Sequence, residues 1–323
     1  MPKAAVPEKH DTSPSPAPGR PRRLSGAARR DPSRTSRTGG ALGYLFAGPM
    51  TLYLVLIMAL PLLWAVWISF TDKRVGAPGE LIGFTNYTDV LTDPLFWRTA
   101  WNTLVFTLGA VVLKLIFGMA MALALNERFR GRALFRVLLF LPWTVPTIVS
   151  VFAWQWMFSD VGGAFNAILR GVGLADEPVP WLTDPKMAML SVIAVNVWRG
   201  TPFIGIALLA GLSAVSQEQY EAARVDGTNV FQRFLHITLP SIRNVAMLAA
   251  VITTIWTLND FEIIWLLTRG GPADATQVFS TLSYTIGFQN LDIAKATTIS
   301  ILSIPPLIVL INYVTKRTLK DQD

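Results

Sequence analysis

Long apolar runs alternate with shorter polar segments from about residue 43 to the end of the chain. Each run is close to the roughly 20 residues that a helix needs to cross the hydrocarbon core of a bilayer. We therefore predict an all-α fold, a polytopic membrane helix bundle with six transmembrane helices. The predicted spans lie at about 43–70, 101–125, 134–158, 187–212, 244–267 and 294–315.

The first forty residues do not share this pattern. They are rich in Pro, Ser and Arg, and nine Lys or Arg residues are set against three acidic ones. Such a segment has too few apolar side chains to form a core, so residues 1–40 are expected to be a disordered basic tail. The predicted domains are this tail and a membrane domain over residues 41–323, which contains a polar loop at 213–243.

Composition narrows the class of protein further. The chain is 52% hydrophobic and 15% charged with a net charge of +7, which fits a polytopic membrane protein. The basic excess lies in the tail and at the ends of the apolar runs, so nucleic-acid binding is not indicated. The chain has no Cys, and its two His residues, His10 and His236, fall in the tail and in a loop. We therefore expect no metal site and no cofactor.

The Lys and Arg residues predict how the bundle is oriented. They concentrate in the tail, at 128–132, in the 213–243 loop and at 316–320, whereas the opposite loops carry mainly acidic residues. Cytoplasmic loops of membrane proteins carry an excess of Lys and Arg. Both termini and the 213–243 loop are therefore predicted to be cytoplasmic.

The 213–243 loop contains a polar, helix-prone segment. Ser216 is a suitable N-cap, Glu221-Ala222-Ala223-Arg224 favours helix, and Gly227 can take the left-handed conformation that ends one. Apolar residues such as Phe231 then follow at helical spacing before Leu239-Pro240. A short helix with an apolar stripe needs a surface to pack on, so we expect it to dock on a partner. The alternative is an amphipathic helix that lies on lipid headgroups.

This segment resembles the cytoplasmic loop of the membrane subunit of binding-protein-dependent ABC importers. In that family, Glu-Ala-Ala followed by Asp-Gly, with Leu-Pro about a dozen residues later, is the coupling helix on which the ATPase docks. The resemblance implies a type I ABC importer permease fold in a bacterial plasma (inner) membrane. It assigns ATPase coupling to Glu221, Ala222, Ala223, Asp226, Gly227, Phe231, Leu239 and Pro240.

The chain itself is not expected to hydrolyse ATP. A phosphate-binding loop needs Gly-x-x-x-x-Gly-Lys-[Ser/Thr], because backbone amides and the lysine together hold the phosphates. No Gly-Lys pair occurs in the 323 residues. Any ATP-driven step must therefore come from separate ATPase subunits, and the chain is expected not to be an enzyme.

Polar residues inside the predicted spans indicate a binding site. Thr253, Trp256, Thr257 and Asp260 share one helical face, since they are spaced i, i+3, i+4 and i+7. Ionisable groups in a membrane normally face a cavity, a partner or each other. Aromatic faces beside hydrogen-bonding groups suit a sugar. Asn196, Arg199, Gly200 and Phe203 likewise interrupt an apolar run, and Trp143 lies between two prolines.

Three stretches of the predicted membrane domain resemble the maltose-type sugar permeases. They lie at 198–203, 259–261 and 266–272 and read Trp-Arg-Gly-Thr-Pro-Phe, Asn-Asp-Phe and Leu-Leu-Thr-Arg-Gly-Gly-Pro. The resemblance implies import of a di- or oligosaccharide, which we expect to follow alternating access. It assigns substrate contact to Trp143, Arg199, Gly200, Phe203, Thr253, Trp256, Thr257 and Asp260, and Asn196 completes the candidate substrate-binding set. It also implies a second homologous permease subunit, two ATP-binding-cassette ATPase subunits, an extracytoplasmic sugar-binding protein and membrane lipid as partners. This chain departs from the family in charged Arg199 and Asp260 and lacks the large periplasmic insertion of some maltose subunits.

Alternatives remain open at this stage. Arg199 and Asp260 are also placed to form an ion pair with each other. Lys114 is assigned to snorkelling or helix pairing rather than to substrate, and Glu262 to the partner permease. Glycerol 3-phosphate or a sugar derivative is an alternative substrate. An ion-coupled secondary transporter and a membrane glycosyltransferase are the rival classes, although no acidic cluster typical of the latter is present.

Overall fold

The computed structural model describes residues 37–127, 129–306, 308, 309, 312 and 316. The chain divides into two compact units, Met1–Met58 and Ala59–Asp323. Residues 37–58 of the first unit form the first part of a single long helix, α1, and residues 1–36 of the predicted tail lie outside the described residues. The helices are α1 Arg37–Ser69, α2 Thr85–Thr92, α3 Pro94–Asn126, α4 Arg132–Thr144, α5 Thr147–Met157, α6 Ala164–Gly171, α7 Pro185–Ser213, α8 Gln217–Val225, α9 Val230–Arg233, α10 Leu239–Leu258, α11 Glu262–Leu267, α12 Phe279–Tyr284 and α13 Ile293–Leu302.

Four stretches in the described part of the chain are long and apolar enough to cross a membrane. They are Phe46–Ser69, Pro94–Asn126, Pro185–Ser213 and Val230–Leu258, and the bent pair of α4 and α5 makes a fifth if it counts as one span. The all-α, polytopic fold expected from the apolar runs is therefore confirmed. Of the sixth predicted span, 294–315, the structure describes α13 and a few residues beyond it.

The third predicted span, 134–158, was expected to be a single helix, but the structure breaks it into two. Helices α4 and α5 meet at an angle of 95°. Val145 is extended there, with φ −75° and ψ 134°, and Pro146 precedes the first residue of α5. A residue before proline is driven out of the helical conformation by the proline ring, and the proline itself has no N–H to donate. The break therefore follows from this proline.

The fifth predicted span, 244–267, is also wrong as a single helix. Helix α10 ends at Leu258, and α11 starts a new helix at Glu262. The Asp260 carboxylate accepts a hydrogen bond from the Ile263 N–H at 3.2 Å, so it satisfies a donor at the start of α11. At the N-terminal end of α10, the π-helical turn Phe234–Thr238 connects this helix to α9.

The core of the second unit is built around α3 and α7. Gly118 on α3 faces Ile204 on α7, and a Cβ at Gly118 would lie 2.5 Å from the Ile204 Cγ2 atom. The missing side chain therefore lets the two helices approach closely. Buried Leu125, Leu208 and Ile242 continue this packing toward α10. The result is a rigid framework of three long helices that positions the polar residues described next.

Candidate functional site

A cavity of about 360 Å³ opens among α3, α4, α5, α7, α10 and α11. All nine residues predicted to bind substrate line it, so the structure brings the whole predicted set together. The cavity also takes in residues that the prediction did not include. These are Lys114, Thr147, Asn259, Phe261, Glu262 and Ile263.

Asp260 is held by a network at the end of α10. Its carboxylate accepts a hydrogen bond from the Asn196 side-chain amide at 2.6 Å, and another from the Ile263 N–H. Its backbone carbonyl accepts a bond from the Ser280 hydroxyl at 2.9 Å. These contacts join α7, α11 and α12 at one residue, which follows the end of α10. Asp260 is therefore fixed in position although it lies beyond the last residue of α10.

Arg199 does not pair with Asp260 in the structure. Among the described residues, no hydrogen bond or ion pair joins the two side chains, and the buried Arg199 Nε atom has no hydrogen-bond partner. The buried Asn196 Oδ1 atom has none either. A buried polar atom without a partner is costly, so both atoms are candidates to meet a polar ligand. The ion-pair alternative is not the arrangement that the structure contains.

Lys114 lies inside the bundle, so it does not snorkel, but it pairs α3 with α10 and so fits the helix-pairing alternative in its assignment. Only 3% of its surface is exposed, and its amine donates a hydrogen bond to the Thr257 hydroxyl at 2.8 Å. Gly200 makes room for it, because a Cβ there would lie 2.6 Å from the Lys114 Cε atom. The signal in the sequence was its place near the middle of α3, too far from either end for the amine to reach the membrane surface.

Aromatic rings form another wall of the cavity. Phe203 and Trp256 are in contact, with ring centroids 4.6 Å apart and an angle of 56° between the rings. Trp143 and Trp256 remain about half exposed, at 50% and 52%. Rings of this kind offer flat apolar faces beside the polar groups of Asn196 and Asp260. The arrangement suits a ligand that carries both apolar faces and hydroxyl groups.

Glu262 also lines the cavity. Its contact with a partner permease stays a prediction, but its assignment to the side of span five opposite Asp260 is corrected. That assignment extended the helical periodicity of span five past its actual end. Because the chain leaves the helix between Leu258 and Glu262, the angular position of Glu262 no longer follows from the spacing. The same break brings Phe261 to the cavity.

The predicted coupling residues lie apart from the cavity, on α8, the turn after it, α9 and the first residues of α10. The Ser216 hydroxyl accepts a bond from the Glu218 N–H, so it is the N-cap that the sequence indicated, and Gly227 has φ +73°. The Thr228 hydroxyl donates to the Ala223 carbonyl at 2.6 Å, which fixes the turn. Ala223 is buried, whereas the other predicted coupling residues are exposed: Glu221, Ala222, Asp226, Gly227, Phe231, Leu239 and Pro240.

This loop is tied to the membrane helix that follows. The Tyr220 and Thr238 hydroxyls are hydrogen-bonded at 3.0 Å, which links α8 to the π-helical turn before α10. Asn229 and Gln232 form a reciprocal capping box at the start of α9. The Tyr220–Thr238 bond therefore connects α8 with the start of α10, the helix that carries Trp256 and Thr257 near its other end.

No group of three or more His, Cys, Asp or Glu side chains in the part of the chain that the structure describes is placed to hold a metal ion. The polar groups of the cavity are amide, hydroxyl, carboxylate, amine and guanidinium. These are groups for recognition by hydrogen bonds.

Comparison with known proteins gives the chain a family. The protein-family model described as "Binding-protein-dependent transport system inner membrane component" matches residues 114–319 of this chain. The trehalose/maltose transport system permease protein MalF of Thermococcus litoralis is 39% identical over 264 residues, which cover 81% of this chain and 88% of that protein. The sulfoquinovosyl glycerol transport system permease protein SmoG of Agrobacterium fabrum is 33% identical over 259 residues, with coverages of 79% and 83%.

A solved structure supports the fold. A chain in the crystal structure of a bacterial ABC transporter involved in the import of the acidic polysaccharide alginate matches with a TM-score of 0.75 and 24% identity, over 88% of this chain and 96% of that one. The likeness confirms the all-α importer permease fold expected from the sequence. The family match spans well over half of the chain and includes the cavity and the 213–243 loop. The chain therefore belongs to the family of inner membrane components of binding-protein-dependent transport systems, and it is a multi-pass membrane transport protein rather than an enzyme.

Proposed function

We propose that this chain is the permease subunit of an ABC importer that translocates a sugar, a di- or oligosaccharide, into the cytoplasm. The observation that carries the proposal is the cavity, which is lined by both the Phe203–Trp256 pair and the Asn196–Asp260 pair. A pyranose ring presents C–H faces to aromatic rings and hydroxyl groups to amide and carboxylate groups. Two relatives are named as permeases of trehalose/maltose and sulfoquinovosyl glycerol transport systems, and these ligands contain sugar rings of this kind.

The proposed substrate contacts are the nine predicted residues together with Lys114. Asp260 and Asn196 would accept and donate bonds to sugar hydroxyls, Arg199 would donate from its unpartnered Nε atom, and Thr253 would add a hydroxyl. Trp143, Trp256 and Phe203 would stack on the ring. Gly200 contributes by leaving space for the Lys114 side chain.

Transport would follow alternating access, driven by separate ATPase subunits. We place both termini and the 213–243 loop in the cytoplasm, in line with the distribution of Lys and Arg. The ATPases would dock on α8 and α9, where Val225, Val230 and Phe231 are 88%, 74% and 67% exposed. Exposed apolar side chains beside the charged Glu221 suit a protein partner. Movement of α8 would pass to α10 through the Tyr220–Thr238 bond.

The remaining partners follow from the incomplete cavity. Trp143 and Trp256 are half exposed in the single chain, so a second, homologous permease subunit would close the site. An extracytoplasmic binding protein would deliver the sugar. The alginate transporter was solved in complex with a periplasmic protein bound to an alginate pentasaccharide, which is the kind of assembly proposed here.

The charges of the cavity weigh against glycerol 3-phosphate as the substrate. Lys114 and Arg199 would attract an anion, but Asp260 and Glu262 line the same cavity. An anion in this cavity would therefore lie beside carboxylates as well as cations, which makes the site less suited to a phosphate. A secondary transporter is not favoured either, because the family works with a binding protein.

Uptake by the reconstituted assembly tests the proposal. The chain is purified with its partner permease and ATPases, placed in proteoliposomes with internal ATP and supplied with the loaded binding protein. Labelled maltose, trehalose, maltotriose, maltotetraose and glycerol 3-phosphate are compared. We expect ATP-dependent uptake of at least one sugar, and Trp256→Ala should reduce it more than about tenfold, the effect of losing roughly 1.4 kcal/mol. ATP-dependent uptake of glycerol 3-phosphate alone would overturn the proposal.

The matched control removes the indole ring of a tryptophan that lies outside the cavity. Trp156 on α5 is 64% exposed and does not line the cavity, so Trp156→Ala should leave uptake close to the wild-type value. Assembly of the complex and basal ATP hydrolysis are measured for both variants. Loss of uptake in both variants, or in neither, would remove Trp256 from the proposed site.

A further inference from the structure

A second cavity lies apart from the proposed substrate site. It has a volume of about 550 Å³ and is bounded by α1, α12, α13 and the π-helical turn Thr285–Gln289. Of the residues that line the two cavities, only Phe261 is common to both. None of the roles assigned above uses this second space.

The hydroxyl groups of the second cavity are engaged within the protein. Ser280 and Thr297 donate to backbone carbonyls at 2.9 Å and 2.7 Å. The Ser300 hydroxyl lies 3.1 Å from a backbone carbonyl and 3.1 Å from the Ser283 hydroxyl, and it donates to both acceptors. The rest of the lining is apolar or aromatic and consists of Ala65, Val75, Phe261, Tyr284, Gly287, Phe288, Ile293 and Ala296. A guest in this cavity therefore meets mainly apolar surface.

The second cavity is a groove between two helical segments that run side by side. On α13 its lining residues are spaced i, i+3, i+4 and i+7 from Ile293 to Ser300, so they share one face. The facing segment shows the same spacing from Ser280 to Gly287. A Cβ at Gly287 would lie 3.0 Å from the Ala296 Cβ atom, so the two segments are in close contact there. Seven residues of helix rise about 10 Å, and a groove of this length suits a linear guest.

Aromatic rings border the groove. The centroids of Tyr284 and Phe288 are 5.1 Å apart, with an angle of 25° between the rings. Phe288 is 72% exposed, so its ring keeps a free face although it stacks on Tyr284. A flat ring gains many small dispersion contacts from a hydrocarbon chain that lies along it.

The groove opens beside a membrane-spanning helix. Ala65 belongs to the span Phe46–Ser69 and lies four residues before its end. Its neighbours Trp64 and Trp67 are 61% and 55% exposed. Tryptophan is enriched where the hydrocarbon of a bilayer meets the headgroups. We therefore place the groove just inside the hydrocarbon, near one surface of the membrane.

Charged residues surround the end of the groove at which Val75 and Ile293 lie. The segment after α1 is fixed there, because the Ala294 N–H donates to the Lys73 carbonyl at 3.1 Å. The charged residues of this segment and of the start of α13 have both signs: Asp72, Lys73, Arg74, Glu80, Asp292 and Lys295. A mixed set of charges suits the zwitterionic headgroup of a phospholipid, in which a phosphate and an amine lie close together.

We propose that this groove binds one acyl chain of a membrane phospholipid, whose headgroup lies among the charged residues next to Val75. The inference goes beyond the proposed function and holds whichever sugar the first cavity takes. A linear apolar groove beside a membrane span matches an acyl chain in shape and in chemistry. Because lipid hydrocarbon is already apolar, the chain gains close contact with the walls rather than removal from water.

A helix of a partner subunit does not fit inside the groove. With its side chains a helix is about 10–12 Å across, so a 10 Å length of it fills roughly 800–1,100 Å³. The groove holds about 550 Å³. A partner helix that covers the groove from outside is an outcome of the test below.

Photocrosslinking in the assembled complex tests the proposal. The complex is reconstituted in nanodiscs of phosphatidylethanolamine and phosphatidylglycerol, with a trace of phosphatidylethanolamine that carries a diazirine midway along one acyl chain. After illumination, mass spectrometry identifies the residues that carry lipid. We expect crosslinks on the lining residues of α12 and α13, expressed as a fraction of all lipid attached to the chain.

Two variants alter the groove, and each has a matched control. Ala65→Phe fills the groove from α1, and Phe288→Ala removes an exposed ring from its border. Each should lower the crosslinked fraction on α12 and α13 at least about threefold, because the chain loses wall contacts. Ala59→Phe on α1 and Phe152→Ala on α5 make the same changes at positions that do not line the groove, so they should leave the fraction unchanged.

The outcomes decide the proposal. An equal crosslinked fraction in the wild type, Ala65→Phe and Phe288→Ala would overturn it, because lipid would then only cover the outer surface. No crosslinks on the groove residues of the wild-type complex would also overturn it and would indicate a covering partner helix. Thermal unfolding of the complex shows whether Ala65→Phe folds. If it does not, Phe288→Ala decides alone, since its exposed ring can be removed without a cavity in the core.

Discussion

The Lys114 amine donates a hydrogen bond to the Thr257 hydroxyl across 2.8 Å, and this bond joins α3 to α10 at the wall of the cavity. Gly200 on α7 provides the space that the lysine occupies. We expect Gly200→Ala to displace the amine and lower uptake, since overpacking of a filled interior typically costs about 1–3 kcal/mol. Sugar uptake and the thermal unfolding temperature of the purified complex measure the effect.

A control for this prediction removes the Lys114 side chain, which the added methyl group at position 200 would otherwise displace. In a Lys114→Ala chain, the methyl group of Gly200→Ala has no side chain to displace. The unfolding temperature should therefore fall less on Gly200→Ala in that background than in the wild type, because residues in contact are not additive. Equal decreases in the two backgrounds would show that Gly200 does not act through Lys114.

Asp260 offers a second prediction, because its carboxylate accepts bonds from both Asn196 and Ile263. Asp260→Ala should abolish uptake while assembly and basal ATP hydrolysis persist. Asp260→Asn keeps an oxygen for the Ile263 N–H but loses the charge, so we expect an intermediate loss of about 1–1.5 kcal/mol, the difference between charged and neutral hydrogen bonds. Uptake is measured at several sugar concentrations. Wild-type kinetics in Asp260→Ala would exclude Asp260 from the substrate site.

The aromatic wall gives the third prediction. Phe203 contacts Trp256 and supports its ring against the cavity. Phe203→Leu keeps much of the apolar volume but removes the aromatic contact, which is worth about 0.5–1.5 kcal/mol. We expect a several-fold rise in the sugar concentration needed for half-maximal uptake, with Phe203→Tyr close to wild type. If both variants behave alike, packing alone explains the residue.

The composition of the cavity was largely predictable from the sequence, and the reason is helical phase. Asn196, Arg199, Gly200 and Phe203 lie on one continuous helix, α7, so their spacing fixes the face they share. Trp256 and Thr257 lie within α10 in the same way. Lys114 was not predicted to line the cavity, because a single lysine in an apolar helix has no hydrogen-bond partner within that helix. Its partner Thr257 is 143 residues away and is brought near only by packing.

The breaks in the helices could not be placed from periodicity. An aspartate near the end of an apolar run is compatible with one more turn of helix, and only the bonds of Asp260 to Asn196 and Ile263 redirect the chain. That redirection moved Glu262 and Phe261 to the cavity. The turn in the coupling segment was easier, because Ser216 and Gly227 act on their own neighbours. Local capping is legible in a sequence, whereas long-range hydrogen bonds are not.

Gly227 supplies the last prediction, which concerns coupling rather than binding. Its φ is +73°, and a Cβ built there meets nothing within 4 Å, so the demand for glycine comes from the backbone alone. A left-handed conformation costs most residues about 1–2 kcal/mol, and a β-branched side chain raises the strain, whereas asparagine tolerates it. We therefore expect Gly227→Val to distort the end of α8 and Gly227→Asn to remain close to wild type.

The measurement compares sugar uptake with ATP hydrolysis in the same proteoliposomes. If α8 carries the movement of the ATPases to α10, Gly227→Val should lower the amount of sugar transported per ATP hydrolysed while the chain remains in the membrane. Gly227→Asn changes the side chain at the same exposed position without the backbone strain, so it controls for loss of a surface contact. Normal coupling in Gly227→Val would contradict the role of this turn, because the substituted backbone can no longer keep the left-handed geometry at low cost.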